Sequence, residues 1–218
     1  RPAALRRAVE SAGAVRGRCL NTGQSCIAAK RFIVERPVAD EFTARFAAEM
    51  AKLRVGDPLD DATQVGAIVN EGELTTLISQ IQDAIAGGAL VSCGGGRMDR
   101  PGYFLAPTVL SGVTRDMRVW REEVLGPIAP VLPVADADEA VRVANDSDFG
   151  LGASVWTQDR ERGEAIARRL ACGSAFVNSI VKSDPRVPFG GVKQSGWGRE
   201  LAWCGLREFT NVKGLNVY

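Results

Sequence analysis

Residues 74–93 read LTTLISQIQDAIAGGALVSC, and this stretch decides the fold class. Its apolar residues recur every three or four positions from Leu74 to Ile85, which predicts a helix with one buried face. Gly87 and Gly88 then supply a natural helix end, and the β-rich run 89–93 follows at once. A helix that leads directly into a strand is the repeating unit of an α/β protein.

The same alternation extends in both directions from this stretch. Phe42, Phe46, Met50 and Leu53 mark an earlier helix, and two later helices fit residues 137–144 and 160–170. Strands are predicted at 31–35, 89–93, 107–113, 128–134, 152–157 and 174–178. The first ten residues, RPAALRRAVE, also have a basic, alanine-rich helical pattern. This rhythm predicts an α/β fold, in which a largely parallel twisted sheet carries helices on both faces.

Composition excludes several classes of protein. The 218 residues include 27 Lys and Arg against 26 Asp and Glu, a net charge of +1, which argues against nucleic-acid or membrane-surface partners. No stretch approaches the roughly 20 apolar residues that a membrane span needs. Histidine is absent, so Ser-His-Asp and Cys-His relays and His-bearing zinc sites are excluded.

The cysteines favour a reducing environment. There are five, an odd number, and they are scattered without a CxxC pair. This spacing fits neither a disulfide framework nor a metal site, so we expect no bound metal and a cytoplasmic location.

One cysteine stands in an unusual context. Residues 21–31 read NTGQSCIAAKR, so that a polar, glycine-containing turn delivers Cys26 to the start of an apolar and basic segment. Free backbone N–H groups and a nearby cation can lower the pKa of a thiol in such a position, and the thiolate is the nucleophilic form. The alternative is that Cys26 is one more small, buried apolar residue.

Four motifs in order resemble those of the aldehyde dehydrogenase superfamily. They are NTGQSC with AAKR at 21–31, REEVLGP at 121–127, NDSDFGL at 145–151 and PFGGVKQSG at 188–196. The resemblance covers nearly the whole chain, from about residue 3 to 217, and is greatest to the NAD(P)-dependent succinate-semialdehyde dehydrogenases.

The resemblance implies a covalent mechanism and a cofactor contact. In the family, the residue matching Cys26 attacks the aldehyde to form a thiohemiacetal, hydride passes to NAD or NADP, and water hydrolyses the thioester. Glu123 matches the glutamate that hydrogen-bonds the nicotinamide ribose. Leu125 occupies a position that is usually Phe and lies near the nicotinamide, which implies a weaker or differently shaped contact there.

The resemblance also implies a substrate site. Phe189 matches a residue that lines the aldehyde channel, and Ser183 matches one that helps hold the distal carboxylate of succinate semialdehyde. Arg186 and Lys182 supply positive charge nearby. Leu20, however, stands where many such enzymes carry a carboxylate-binding Arg, so a neutral aldehyde remains an alternative substrate.

The expected organisation is a catalytic domain at 1–205, bearing the nucleophile, and an oligomerisation strand at 206–218 that pairs with another copy of the chain. The family's N-terminal cofactor-binding domain, which holds most of NAD or NADP, and its general base are expected to lie outside the chain. We therefore expect the isolated chain to be inactive. A non-catalytic remnant that serves as an assembly module is the alternative from a different functional class.

Overall fold

The computed structural model describes residues 13–218, so the helical pattern of the first ten residues lies outside the described part. The helices are α1 (Ala14–Cys19), a 3-10 turn (Leu20–Gly23), α2 (Arg36–Ala51), α3 (Glu71–Ala86), α4 (Arg118–Arg121), α5 (Ala137–Asn145), α6 (Arg160–Ala167) and α7 (Ala202–Glu208). The strands are β1 (Phe32–Glu35), β2 (Leu90–Cys93), β3 (Thr108–Ser111), β4 (Ile128–Val134), β5 (Phe149–Gly150), β6 (Gly152–Val155), β7 (Ser174–Val177) and β8 (Val192–Lys193).

The central sheet has four strands in the order β1-β4-β3-β2. The β1–β4 and β4–β3 pairs are parallel, but the edge strand β2 runs antiparallel to β3. The prediction of α/β architecture is confirmed, and the sheet is mixed. Residues 94–107 between β2 and β3 contain no helix, and a parallel connection needs a crossover segment, usually helical, so the chain returns antiparallel.

Helix α2 covers one face of the sheet. Phe46 and Met50 are completely buried against Phe32 and Val131, and the Phe32 and Phe46 rings lie 4.7 Å apart between centroids. The helix stripe read from the sequence therefore faces the core, as aromatic and apolar side chains at this spacing should.

Helix α3 helps to cover the opposite face. Its buried residues Leu77 and Ile81 belong to a second core cluster with Leu110 and Ile128. The Asn70 side chain accepts a hydrogen bond from the Glu73 backbone N–H at 2.8 Å, which satisfies one of the free donors at the start of this helix. The prediction of helices on both faces is confirmed, and it explains why β4 is buried along most of its length.

Residues 146–218, termed here the loop region, carry two small sheets. Strands β5 and β8 pair antiparallel, and β6 and β7 pair parallel with α6 as their crossover. Residues 211–218 hold no regular structure, so the strand predicted within 206–218 is not formed. A strand needs a hydrogen-bonded neighbour, and this segment has none within the described residues of the single chain.

Residues 13–218 contain neither a membrane-spanning helix nor a cluster of metal ligands. No helix there is both long and apolar enough to cross a membrane. No group of three or more His, Cys, Asp or Glu residues is placed to hold a metal ion in the same range.

Candidate active site

A tight turn presents Cys26 at the surface. Asn21, Thr22 and Gly23 adopt left-handed backbone angles, with φ of 50°, 60° and 76°, so the chain reverses sharply after α1. The Ala28 backbone N–H then donates to the Ser25 carbonyl at 3.0 Å, which closes a turn around Cys26. Cys26 is exposed, so its interpretation as a buried apolar residue is wrong.

Side chains of the turn hold it against residues 66–69. Thr22 Oγ1 accepts a hydrogen bond from the Gly66 N–H at 2.9 Å. Gln24 donates to the Ala67 carbonyl at 3.1 Å and accepts from the Val69 N–H at 2.8 Å. These hydrogen bonds fix the side chains of Thr22 and Gln24, and none of them involves the side chain of Cys26.

The turn packs directly on residues 122–127, which begin with the adjacent acids Glu122 and Glu123. A Cβ atom added to Gly23 would collide with the Gly126 carbonyl, and the left-handed φ at Gly23 also favours glycine. The close approach of these two backbones brings the Cys26 turn beside residues 122–127.

Arg18 ties the same segments together from inside. Its guanidinium donates to the Gly23 carbonyl at 2.7 Å, the Ala29 carbonyl at 2.7 Å and the Val124 carbonyl at 3.2 Å. The residue is completely buried, and this burial lowers the pKa of Arg18 to about 10. The sequence offered no signal for this role, because the Val124 carbonyl is 106 residues away from Arg18 along the chain.

Lys30 joins the Cys26 turn to Glu123. The Lys30 Nζ donates to the Ser25 carbonyl at 2.6 Å and to the Cys26 carbonyl at 3.2 Å, and lies 3.3 Å from Glu123 Oε1. The Lys30 side chain is 17% exposed and that of Glu123 is 41% exposed. Burial, with help from Arg18, lowers the pKa of Lys30, whereas the negative charges of Glu123 and Cys26 oppose the shift.

The neighbouring acid, Glu122, has different partners. It accepts from Arg118 at 2.8 and 3.1 Å and from Gln80 at 3.0 Å, and the hydrogen bonds from Arg118 and Gln80 lower the pKa of Glu122. The two adjacent acids thus have different partners, and Glu123 is the one that pairs with Lys30 beside the Cys26 turn. Leu125 is half-buried in the same segment.

The residues matched to the substrate site lie on a segment of the loop region. Ser183 and Arg186 are exposed, and the Arg186 guanidinium binds Asp184 through two contacts of 2.9 and 2.6 Å. This pairing strongly lowers the pKa of Asp184. Phe189 is half-buried, and its backbone pairs with Glu200 through hydrogen bonds of 2.9 and 2.7 Å.

These substrate-site contacts are local and do not reach Cys26. Ile180, which precedes these residues in the chain, packs on α1, because its Cγ2 lies 3.3 Å from the position of a Cβ on Gly17. The structure connects the Cys26 turn to Glu123 through Lys30, while no hydrogen bond or ion pair among the described residues joins Ser183, Arg186 or Phe189 to Cys26.

The assembled groups suit a defined chemistry. An exposed thiol can reach a carbonyl carbon, and the turn that carries it is held by the Lys30 ammonium through the Ser25 and Cys26 carbonyls. Glu123 Oε1 is held by Lys30, whereas Oε2 has no hydrogen bond from the described residues, so this partly exposed carboxylate can still accept from a hydroxyl. A ribose diol fits these requirements, because both of its hydroxyls are donors.

Comparison with protein families identifies a match over almost the whole chain. The model of the aldehyde dehydrogenase family matches residues 3–215. Succinate-semialdehyde dehydrogenase [NADP(+)] 1 of Mycobacterium tuberculosis strain H37Rv is 49% identical over 200 residues, which are 92% of this chain and 44% of that protein. The Mycobacterium leprae enzyme of the same activity is 46% identical over 202 residues, covering 93% and 44%.

Solved structures give the same result at the level of the fold. The NAD-dependent aldehyde dehydrogenase from Sinorhizobium meliloti superposes with a TM-score of 0.93 at 38% identity, covering 98% of this chain and 42% of that one. An E. coli NADP-dependent enzyme superposes with a TM-score of 0.90 at 36% identity, covering 94% and 42%. The chain thus spans less than half the length of these proteins.

Proposed function

Because this chain belongs to the aldehyde dehydrogenase family, we propose that it carries the nucleophile of an enzyme that oxidises an aldehyde to a carboxylic acid with NAD or NADP. The observation that supports this most is the exposed Cys26 on a turn that Lys30 connects to Glu123. The turn supplies the attacking atom and the carboxylate supplies a cofactor contact.

Cys26 is the proposed nucleophile. Its thiolate attacks the aldehyde carbon, so that a C–S bond forms and the carbonyl π electrons move to oxygen, giving a thiohemiacetal. Loss of hydride from that carbon leaves a thioester on Cys26, and water then cleaves the C–S bond to release the acid and the thiol. NAD or NADP, when bound, supplies the acceptor for the hydride.

Glu123 and Leu125 are proposed to contact the cofactor. The carboxylate of Glu123 is partly exposed and has one oxygen free to accept from the nicotinamide ribose, which would hold the ring in a fixed orientation. Leu125 is half-buried beside it and presents an apolar surface. The names of the similar proteins include both NAD and NADP enzymes, so both cofactors are included in the proposal.

Succinate semialdehyde is the proposed substrate. The similar mycobacterial proteins are named for it, and the exposed Ser183 and Arg186 offer a hydroxyl and a guanidinium for its distal carboxylate. Arg186 would have to exchange or share Asp184, its present partner, to bind a substrate acid. Phe189 is proposed to line the path of the aldehyde, and a neutral aldehyde is the alternative substrate because of Leu20.

The proposal extends to organisation and assembly. Residues 1–205 would form the catalytic domain, and residues 206–218 would pair with a second copy of the chain in a cytoplasmic homo-oligomer. The support for pairing is exposure, since Phe209, Val212 and Leu215 are each more than 80% exposed. Apolar side chains in such a row are stabilised when a partner covers them.

Thiol labelling tests the proposed role of Cys26 without requiring any cofactor. At neutral pH we expect iodoacetamide to alkylate Cys26 at least tenfold faster than Cys93 and Cys172, followed peptide by peptide with mass spectrometry. Burial raises the pKa of Cys93 and Cys172, so both are less ionised. The Cys26→Ser variant, which removes the fast site, is the control.

The outcomes separate the two classes of function. Equal labelling of all three cysteines would contradict the nucleophile and favour the assembly module. We also propose that the 218 residues alone produce no measurable NADH or NADPH from an aldehyde. Glu122 is bound by Arg118 and Gln80, and Glu123 is proposed to hold the nicotinamide ribose, so neither acid is assigned to activate water.

A further inference from the structure

We infer that Lys30 is a positioning residue that fixes the Cys26 turn relative to Glu123. The inference rests on the proposed function, because it concerns how the proposed nucleophile and the proposed cofactor contact are held in fixed relative positions. Lys30 itself touches neither the aldehyde carbon nor the thiol chemistry in this role. It acts through the peptide that carries the nucleophile and through the carboxylate proposed to hold the cofactor.

The number of hydrogen-bond acceptors around the Lys30 ammonium supports the inference. A lysine ammonium has three N–H donors and no acceptor. Three oxygens lie around Nζ, namely the Ser25 carbonyl at 2.6 Å, the Cys26 carbonyl at 3.2 Å and Glu123 Oε1 at 3.3 Å. The number of donors equals the number of acceptors, so each direction around Nζ has a defined partner.

The position of Lys30 distinguishes it from an ordinary surface lysine. Its side chain is 17% exposed, whereas that of Lys52, which pairs with Glu49 at 2.6 Å, is 68% exposed. Because the Lys30 end of its ion pair is largely buried while the Glu123 end is 41% exposed, the pair is screened less by solvent and salt than one with both ends on the surface. Lys30 therefore transmits changes at Glu123 to the thiol turn, whereas Lys52 has no comparable connection.

Lysine suits this geometry better than arginine. The acceptors converge on one point, and a compact ammonium can serve all three, whereas the planar guanidinium spreads its donors over a fork. We expect Lys30→Arg to preserve the positive charge near Cys26 but to lose part of the three-way contact.

A double-mutant cycle on the 218-residue chain tests the inference, with iodoacetamide alkylation of Cys26 at pH 7 as the readout. We expect Lys30→Met to slow alkylation about fivefold, because the Ser25 and Cys26 carbonyls lose the donor that fixes the peptide of the nucleophile. Lys30→Arg should restore about half of this loss on a logarithmic scale. Lys52→Met, the matched control, should leave the rate unchanged.

The coupling to Glu123 provides the decisive comparison. Glu123→Gln should accelerate alkylation about threefold in the original chain, since Lys30 then binds the two turn carbonyls without a competing carboxylate, but should have no effect in the Lys30→Met background. Independent, multiplicative effects of the two substitutions would overturn the inference, as would an unchanged rate in Lys30→Met. If Lys30→Met fails to fold, the same cycle is run with Lys30→Arg. The effect of Glu123→Gln on alkylation should then be smaller than in the original chain. An undiminished threefold effect would overturn the inference.

The result also separates this inference from the proposed function. If Cys26 is labelled no faster than Cys93 in the original chain, the nucleophile itself is contradicted. If Cys26 is alkylated faster than Cys93 but its rate does not change in the Lys30 variants, the nucleophile is supported and the positioning role of Lys30 is contradicted.

Discussion

The region around the central sheet and the loop region differ in what stabilises them. Both core clusters, from Ala14 to Val143, lie within residues 13–145, termed here the sheet region. In the loop region the buried residues are three glycines, Gly150, Gly163 and Gly191. The sheet region thus folds around buried apolar side chains, whereas the loop region depends on backbone hydrogen bonds and close backbone contacts.

The proposed site is divided between these two regions. Cys26, Lys30 and Glu123 belong to the sheet region, where packed elements fix their separation. Ser183 and Arg186 belong to the loop region, where the contacts around Arg186 are local. The position of Cys26 is therefore fixed by packing of the core. The groups proposed to select the substrate lie on a segment that core packing does not fix. This separation fits the general tendency of loops on a rigid scaffold to carry specificity.

The largest expected effect is the loss of a core aromatic. We expect Phe46→Ala to lower the free energy of unfolding by about 4 kcal/mol, because Phe46 is completely buried against Phe32 and Phe42. Phe209→Ala in the loop region, where the side chain is 93% exposed, should change it by less than about 0.5 kcal/mol. Urea unfolding followed by circular dichroism measures both, and equal losses would break the comparison.

A smaller effect is expected where the Cys26 turn meets the paired-acid segment. We expect Gly23→Ala to cost about 2–3 kcal/mol, since the left-handed φ is unfavourable and the new Cβ would collide with Gly126. Gly88→Ala shares the positive φ but has no atom within 4 Å, so it should cost only about 1 kcal/mol.

The same pair of variants also reports on the site. Gly23→Ala should abolish the preferential alkylation of Cys26, because it separates the turn from Lys30's third partner, Glu123. Gly88→Ala should preserve that preference. Preferential labelling retained in Gly23→Ala would mean that the thiol does not need this backbone contact.

The smallest effect on folding is expected at Arg186, although the effect on specificity should be large. In the whole active protein, Arg186→Gln should raise the KM for succinate semialdehyde about tenfold by removing a charge-assisted contact to the carboxylate. The KM for a neutral aldehyde of equal length and the thermal midpoint should not change.

A second exposed arginine provides the matched control for this specificity test. Arg168 pairs with Glu164 at 2.6 Å, also in the loop region, and Arg168→Gln should alter neither substrate. Equal changes for both aldehydes in Arg186→Gln would contradict the carboxylate-binding role and favour the neutral substrate.

Much of the secondary structure could be predicted from the sequence. The strand at 128–134 coincides with β4, and the helix stripe at Leu74–Ile85 lies within α3. Local periodicity and glycine positions carry this information, because each element depends mainly on its own side chains. The strand β2 was predicted at 89–93, but its antiparallel direction was not, since strand direction depends on the connection between elements as well as on their patterns.

The candidate site was only partly predictable. The motifs identified Cys26 and Glu123 as candidates. Lys30 lies in the AAKR part of the first motif, but nothing in the motif indicated its role, and Arg18 had no signal at all. The available clue to Lys30 was its position four residues after Cys26. Its third partner lies in a distant part of the chain, and such a contact cannot be read from local spacing.

The sequence by itself determined the family, the order of helices and strands, and the identity of the one thiol set in a polar glycine turn. Only the tertiary structure decided that this thiol is exposed, that one ammonium joins its turn to Glu123, and that Arg186 already has a carboxylate partner. The physical reason is that helices, turns and motifs follow from neighbouring residues. Exposure and ion pairing, in contrast, depend on which distant segments the buried core brings together.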